Sequence, residues 1–382
     1  MAKPPLRKRL LRFSLKLLGA LVVGLVLVEL GFRFAALHDS DLARKLGASI
    51  RHEHLFADRW QDDYWKLRTL FVPPEYREGA YAPDKHYDEL LGWRSRFVLP
   101  ETYEHEDAVD MGDRRPVLLY GDSFAACATP ADLCWQGIFR NSDLADEYRF
   151  LNYGRTGFGF DQIYLQFIHS IDLYADEDPI VIISLLVDED LDRSLLTLRG
   201  WPKPHFTLDA DGALRLDEGP VPKGFEAYIE RYPLEITSYA WRYLVYGKRM
   251  LPETWQRKVM GRQATFAEMR ALNARILAEI ELELAARDLE YFVILFHSKK
   301  HFGPKNKNNW REPFFIRQLQ RLRMPYLSSK RRLREDQKTS HRTLKDYYIF
   351  EGEGFGHYTP LGNEVMFEMI RRGIARDYDW SP

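Results

Sequence analysis

An α/β protein built on a parallel sheet is what this sequence predicts, and three observations carry the expectation. Short continuous apolar runs stand at residues 117–120, 180–187 and 291–296, interrupted only by Ser184. Strands that are apolar throughout are buried on both faces, as in parallel sheets. Helical periodicity follows these runs, giving the strand–helix rhythm of α/β domains. Composition agrees: 382 residues with 45% hydrophobic and 29% charged side chains exclude a disordered chain. The length suits about two domains, or one large domain with insertions.

The elements follow in order. Residues 1–16 hold six cations (Lys3, Arg7, Lys8, Arg9, Arg12, Lys16) and no acid; removing them from the net charge of −1 leaves −7 for the rest. The near-neutral total argues against a general nucleic-acid binder. The chain is then uninterruptedly apolar from Leu17 to Val28. Residues 15–34 make roughly 20 positions, about 30 Å as a helix, enough to cross a hydrocarbon core. Glu29 is discordant, but Arg33 lies four positions later and can pair with it. The basic tip predicts a cytoplasmic N-terminus, with residues after about 37 outside. A cleaved signal peptide is the alternative, since FRFAAL offers small residues; no A-x-A site follows the run and no cysteine is placed for a lipid anchor.

Residues 38–105 form an irregular lead-in rich in His, Trp, Tyr and Pro, with a turn signal at HYDELLGW (86–93) and a polar stretch between Pro100 and Asp113. The 117–120 strand ends at Gly121, and a helical pattern runs on through Trp135, Ile138 and Phe139. A second strand at 150–151 leads into NYGRTGFGFDQ (152–162) and a helix carrying Ile163, Phe167 and Ile171. After the 180–187 strand the pattern changes. Residues 205–216 read as a hairpin about Asp211-Gly212, and 222–262 as helical, so 200–262 is expected to be an insertion covering one face of the sheet. A long amphipathic helix at 265–286 restores the rhythm, with Phe266, Met269, Ile276 and Ile280 on one stripe. A basic segment (299–345), the GFGHYTPLGN loop (354–363) and a closing helix complete the chain. The expected division is a tip and anchor (1–37), the lead-in (38–105) and the α/β domain with its insertion (106–382).

Ser123 follows a buried strand and opens a helix, at the sheet edge where α/β ligand sites form and where backbone N–H groups face a developing anion. Asp122 and Ser123 equally suit a helix cap. His357, at the other end of the sequence, is available as a general base, since base and nucleophile are commonly distant in sequence; an exposed loop histidine is its alternative. Cys127 and Cys134 can bridge in an oxidising compartment or remain as thiols. DEDLD (188–192) offers acids for a hard cation or a solvated strand end. His297 and His301 have zinc-ligand spacing only if helical, and 291–297 reads as strand, so no metal and no cofactor is expected. The run KRRLR (330–334) reads as solvated surface or a contact for anionic partners. Trp201, Tyr228 and Trp241 can stack on sugars or pack as core.

Taken together, YGDSF (120–124), NYGRTG (152–157), the VIISLLV strand and GFGHYTPLGN resemble the ordered sequence blocks of the SGNH/GDSL hydrolase superfamily. The KPHFTLDADGALRL insertion and the ELGFR ending of the anchor look like a membrane-anchored bacterial subgroup. The resemblance runs from about His86 to the C-terminus. It implies a three-layer α/β fold, Ser123 as nucleophile within the Gly121-Asp122-Ser123 motif, His357 as base, and Gly157, five positions after Asn152, as an oxyanion donor. Two departures stand out. An ungapped count along the strand puts Asp188 at the oxyanion asparagine position, and one gap would put Glu189 there; at Asp188, desolvation and neighbouring Glu189 and Asp190 are expected to raise the pKa. Gly354 occupies the place of the acid three before the histidine, leaving Glu353 or Glu351 to orient the imidazole, or a Ser–His dyad.

The expected function is a serine esterase or acyltransferase outside the cytoplasmic membrane, acting on O-acetyl groups of envelope or exported polysaccharide. Its partners are that acylated substrate and, through residues 15–34, the membrane; nucleic acid is not among them. A catalytically silent glycan-binding or assembly protein and a lipid esterase are the rivals.

Overall fold

The structure, a computed structural model, describes residues 6–73, 87–94, 111–247, 255, 262–303 and 309–377. Lys3, His86 and Pro100 lie outside them, as does most of 248–261. The chain divides into two compact units, residues 1–82 with 224–263 and residues 83–223 with 264–382. The expected insertion is thus shared: its hairpin stays with the sheet, while residues 224–263 group with the anchor and the first part of the lead-in.

In the sheet unit, five strands run parallel: β1 (Arg115–Tyr120), β2 (Tyr148–Asn152), β3 (Ile180–Leu186), β4 (Glu290–Phe296) and β5 (Tyr326–Ser328). Their spatial order is β5-β4-β3-β1-β2. Alternate residues serve opposite faces, as the period-2 geometry of a strand requires. Leu118, Tyr120, Val181, Ile183, Val293 and Leu295 pack with the helices Phe160–Ser170, Arg262–Ala286 and Arg311–Leu322. Val117, Leu119, Ile180, Ile182, Phe292 and Ile294 pack with Trp135–Arg140, Ser329–Ser340 and Pro360–Ile374. Double burial is why these strands read as unbroken apolar runs, and the three-layer architecture follows from it.

Two differences from the sequence reading have local causes. The helix expected after Gly121 is two short ones, Ser123–Ala126 and Trp135–Arg140, separated by a loop that a Cys127–Cys134 disulfide closes (Cα–Cα 5.9 Å). The basic segment contains β5 between the helices Arg311–Leu322 and Ser329–Ser340; a three-residue, half-buried edge strand leaves too little pattern to see. The predicted hairpin is present as Phe206–Leu208 paired antiparallel with Leu214–Leu216.

In the other unit, the helix Leu6–Leu37 exposes its large apolar side chains from Phe13 to Leu30, and its Arg12–Leu37 portion, 26 residues, is long and apolar enough to cross a membrane. Arg33 Nε meets Glu29 Oε1 at 2.8 Å, the expected pair, and Glu29 has further partners. Its carboxylate accepts from Ser238 Oγ (2.8 Å) and from the N–H groups of Tyr239 and Ala240 (3.0 Å each), at the start of the helix Tyr239–Tyr246. An acid at a helix N-terminus meets unpaired donors and the positive end of the dipole. The residue that is discordant in an apolar run is therefore the fastening point for a second helix.

Candidate active site

β1 ends at Tyr120 and the chain turns at once into the helix Ser123–Ala126. Gly121 permits the turn, because a Cβ there would lie 2.1 Å from Ser184 Oγ on β3. Asp122, fully buried, takes the N-cap: its Oδ1 accepts from Phe124 N–H at 2.9 Å. Capping by Asp122 leaves the Ser123 hydroxyl available, and the half-buried Oγ meets His357 Nε2 at 2.9 Å.

The other imidazole nitrogen settles the proton. His357 Nδ1 lies 3.1 Å from Gly354 O. A backbone carbonyl can only accept, so Nδ1 carries the hydrogen and Nε2 is left to accept from Ser123. Glu353 is exposed and is not the orienting group; this corrects the expectation for that residue, as Glu351, also exposed, is not either. Gly354 adopts φ +75°, and a Cβ on it would meet Ile349 Cδ1 at 3.0 Å and Ala128 Cβ at 3.3 Å. That close packing is why the position holds glycine and offers its backbone instead of a carboxylate. The His357 ring also packs at a tilt against Phe124 (centroids 5.0 Å), and its loop is pinned by Ile349 N–H to His357 O at 2.9 Å.

Asn152 ends β2 and braces the site: its Nδ2 donates to Ala125 O (2.9 Å) and its Oδ1 accepts from Gly154 N–H (2.8 Å). Gly157, at φ +87°, lies half-buried in the loop that follows.

Asp188 is not placed as a neutral donor. Its Oδ2 accepts from Ser298 Oγ (2.6 Å), its Oδ1 from Asn309 Nδ2 (2.9 Å), and His301 Nε2 pairs with it as well. Burial pushes its pKa up, but the hydrogen bond and charge of His301, the Ser298 bond and the charge of His297 outweigh that, and the carboxyl is held below its usual range. The expected upward shift is therefore overturned, because the sequence shows the neighbouring acids but not these donors.

Asp190 and Asp192 of DEDLD are also buried and engaged, and Glu189 is half-buried. Asp192 receives Arg311 at two points (2.6 and 2.8 Å), and Asp190 accepts from Leu186 N–H (2.7 Å). Arg193, which the sequence reading passes over, joins this segment to the nucleophile. Its Nη1 reaches Asp190 Oδ1 (2.7 Å), Phe158 O (2.9 Å) and Asp122 Oδ2 (3.4 Å), and its Nη2 reaches Glu189 (2.7 Å). Burial and the charge of Asp122 push Asp190 upward against the pull of Arg193. The signal for Arg193 was its spacing, three and four residues after Asp190 and Glu189 on a helical turn.

Elsewhere the earlier candidates resolve as structure. In KRRLR, Leu333 is buried, Lys330 pairs with Glu312 (2.6 Å), Arg331 with Glu335 (3.1 Å), and Arg332 donates to Val365 O (3.3 Å). Tyr228 is fully buried, Trp201 packs on Trp93 (5.8 Å), and Trp241 is half exposed.

No family model matches the chain, and no curated protein matches it. Among solved structures it is similar to the acetyl xylan esterase AlAXEase (9% identity, 68% of this chain and 99% of that one, TM-score 0.38). It is also similar to TesA (12%, 69% and 99%, TM-score 0.37). A third is Axe2, an acetylxylan esterase from Geobacillus stearothermophilus (10%, 72% and 99%, TM-score 0.37). The fold is defined here by its own strand order and parallel register.

Proposed function

We propose that the chain is a membrane-anchored serine esterase or acyltransferase of SGNH type, acting outside the cytoplasm on O-acetyl groups of an envelope or exported polysaccharide. One observation carries the reaction class: a serine hydroxyl 2.9 Å from an imidazole nitrogen whose partner nitrogen is fixed as a donor. In this reading Ser123 Oγ attacks the acyl carbon as its proton passes to His357 Nε2. The backbone N–H groups of Ser123 and Gly157 hold the oxyanion. The imidazolium returns its proton to the leaving sugar oxygen, and water or an acceptor hydroxyl, deprotonated by the same nitrogen, releases the acyl group. Gly354 O keeps Nδ1–H in place throughout, without the charge a carboxylate would set against the imidazolium.

The location is supported by the apolar helix Arg12–Leu37 and by the Cys127–Cys134 disulfide, which oxidising compartments favour. The substrate class rests on the motif resemblance. The test is to treat the full chain in detergent with a fluorophosphonate and map the adduct, with acetyl-ester hydrolysis measured in parallel. Labelling of Ser123, abolished together with turnover in Ser123→Ala, is the expected result. Absence of both labelling and turnover in the unaltered chain would transfer the assignment to the silent glycan-binding reading.

A further inference from the structure

A second polar cluster occupies the C-terminal edge of the sheet beyond β4. His297 follows Phe296, the last residue of β4, and is fully buried. The chain then makes a short turn of helix at Lys299–Phe302 that brings His301 back, its ring 4.8 Å from that of His297 and nearly perpendicular to it. Glu312, in the first turn of Arg311–Leu322, faces both. The spacing of the two histidines suggests zinc only on a helix, and they are not on one. A strand end followed by a tight turn produces the same convergence.

We infer that His297, His301 and Glu312 form a binding site for one divalent ion of the zinc class. Their donor atoms all lie within 4.8 Å of one another. Zinc bonds of about 2.0–2.2 Å hold tetrahedral donors about 3.4 Å apart, so the closing required is on the order of 1 Å. The outward-facing nitrogens are already engaged as metal-bound histidines require. His297 Nδ1 meets Ser329 Oγ at 3.0 Å, leaving Nε2 toward Glu312 Oε1, also at 3.0 Å. His301 Nε2 is taken by Asp188, a carboxylate–histidine pair of the kind that orients zinc ligands.

His301 Nδ1 distinguishes this cluster from a closed hydrogen-bond network. It makes no hydrogen bond among the described residues and faces Glu312 Oε2 at 3.7 Å, beyond bonding distance. The side chain is only 3% exposed, so an ion bound at that nitrogen would be largely shielded from solvent. Lys330 holds the same oxygen at 2.6 Å, a bond that orients the carboxylate and leaves Oε1 for an ion. Two imidazoles and a carboxylate suit zinc and its neighbours rather than magnesium or calcium, and three protein ligands leave a fourth position open. Asp188 thereby acquires a role in the place of the missing oxyanion asparagine: it holds a ligand.

The test uses the full chain in detergent, purified through a tag without histidine, stripped with chelator and refilled with zinc alone. Elemental analysis after gel filtration should give one zinc per chain, lost in His301→Ala and in Glu312→Gln and kept in Ser123→Ala. Cobalt in the unaltered chain should give the intense visible bands of a four-coordinate ion. An unaltered chain that retains no zinc, zinc undiminished in both ligand variants, or only the faint spectrum of six-coordinate cobalt overturns the inference. None of these readouts depends on esterase activity.

Discussion

Two polar clusters stand at the same edge of one sheet and are built by opposite means. At β1, Ser123 and His357 are half-buried, meet at 2.9 Å, and are held largely through backbone groups: the Phe124 N–H that the Asp122 side chain caps, the Gly354 carbonyl and the His357 loop. Across β3 and β4, Asp188, His297, His301 and Glu312 are mostly buried and held by side chains drawn from five segments. The first keeps one reactive hydroxyl accessible, with the charges of Asp122, Arg193 and Asp190 paired behind it. The second spends its charges on one another, because a buried carboxylate or imidazole without a partner costs several kcal/mol. Reactivity and stability are thus divided between neighbouring parts of the same edge.

This division sets expectations of different size. The largest is His357→Ala, which should lower acetyl-ester kcat/KM on the order of 10⁴-fold or more while leaving thermal unfolding nearly unchanged. A small kinetic effect would break the contrast at its first term. Next, Arg193→Ala should affect both quantities, since Arg193 reaches from Asp190 to Asp122 beside the nucleophile. Leaving those two carboxylates buried without their cation should cost about 3–5 kcal/mol in denaturant unfolding. A loss below about 1 kcal/mol would show that water reaches them.

Asp188→Asn should sharpen the second term. An amide must turn either its oxygen or its nitrogen toward the donors Ser298, Asn309 and His301, so stability should fall by about 1–3 kcal/mol. Ester turnover should not rise. An increase in turnover would return Asp188 to the oxyanion site. The smallest effect is expected of Gly354→Asp, which restores the acid the motif lacks. The position has φ +75° and a neighbour 3.0 Å from any Cβ, so strain of about 1–2 kcal/mol is expected, with lower rather than higher activity. A gain in kcat there would mean that the carbonyl of Gly354 is a poor substitute for a carboxylate.

The β1 cluster was legible because its signals are local. Gly121-Asp122-Ser123 follows an apolar strand directly, and His357 sits in a glycine-rich loop before a helix with Pro at its first position. The orienting group was not legible, since a backbone carbonyl leaves no trace in residue identity. Asp188 and Asp192 were misread as solvated because their partners, Ser298, Asn309, His301 and Arg311, lie more than a hundred positions away. Glu29 and Arg33 show both cases: the pair was visible at four-residue spacing, but the helix start at Tyr239 that Glu29 caps was not.

By itself the sequence determined the parallel sheet, the apolar N-terminal helix and the Ser–His pairing of motifs. The first two follow from periodicity or from residue types a few positions apart, where the chain's own geometry fixes what is near what; the third, between residues 234 positions apart, rested on the motif resemblance. Tertiary structure alone decided which group orients His357, that Asp188 is held ionised below its usual range, and that two histidines and a glutamate converge beyond β4. Those outcomes depend on crossovers that bring distant strands side by side, and on the rule that a charge taken out of water must find a partner wherever the fold supplies one.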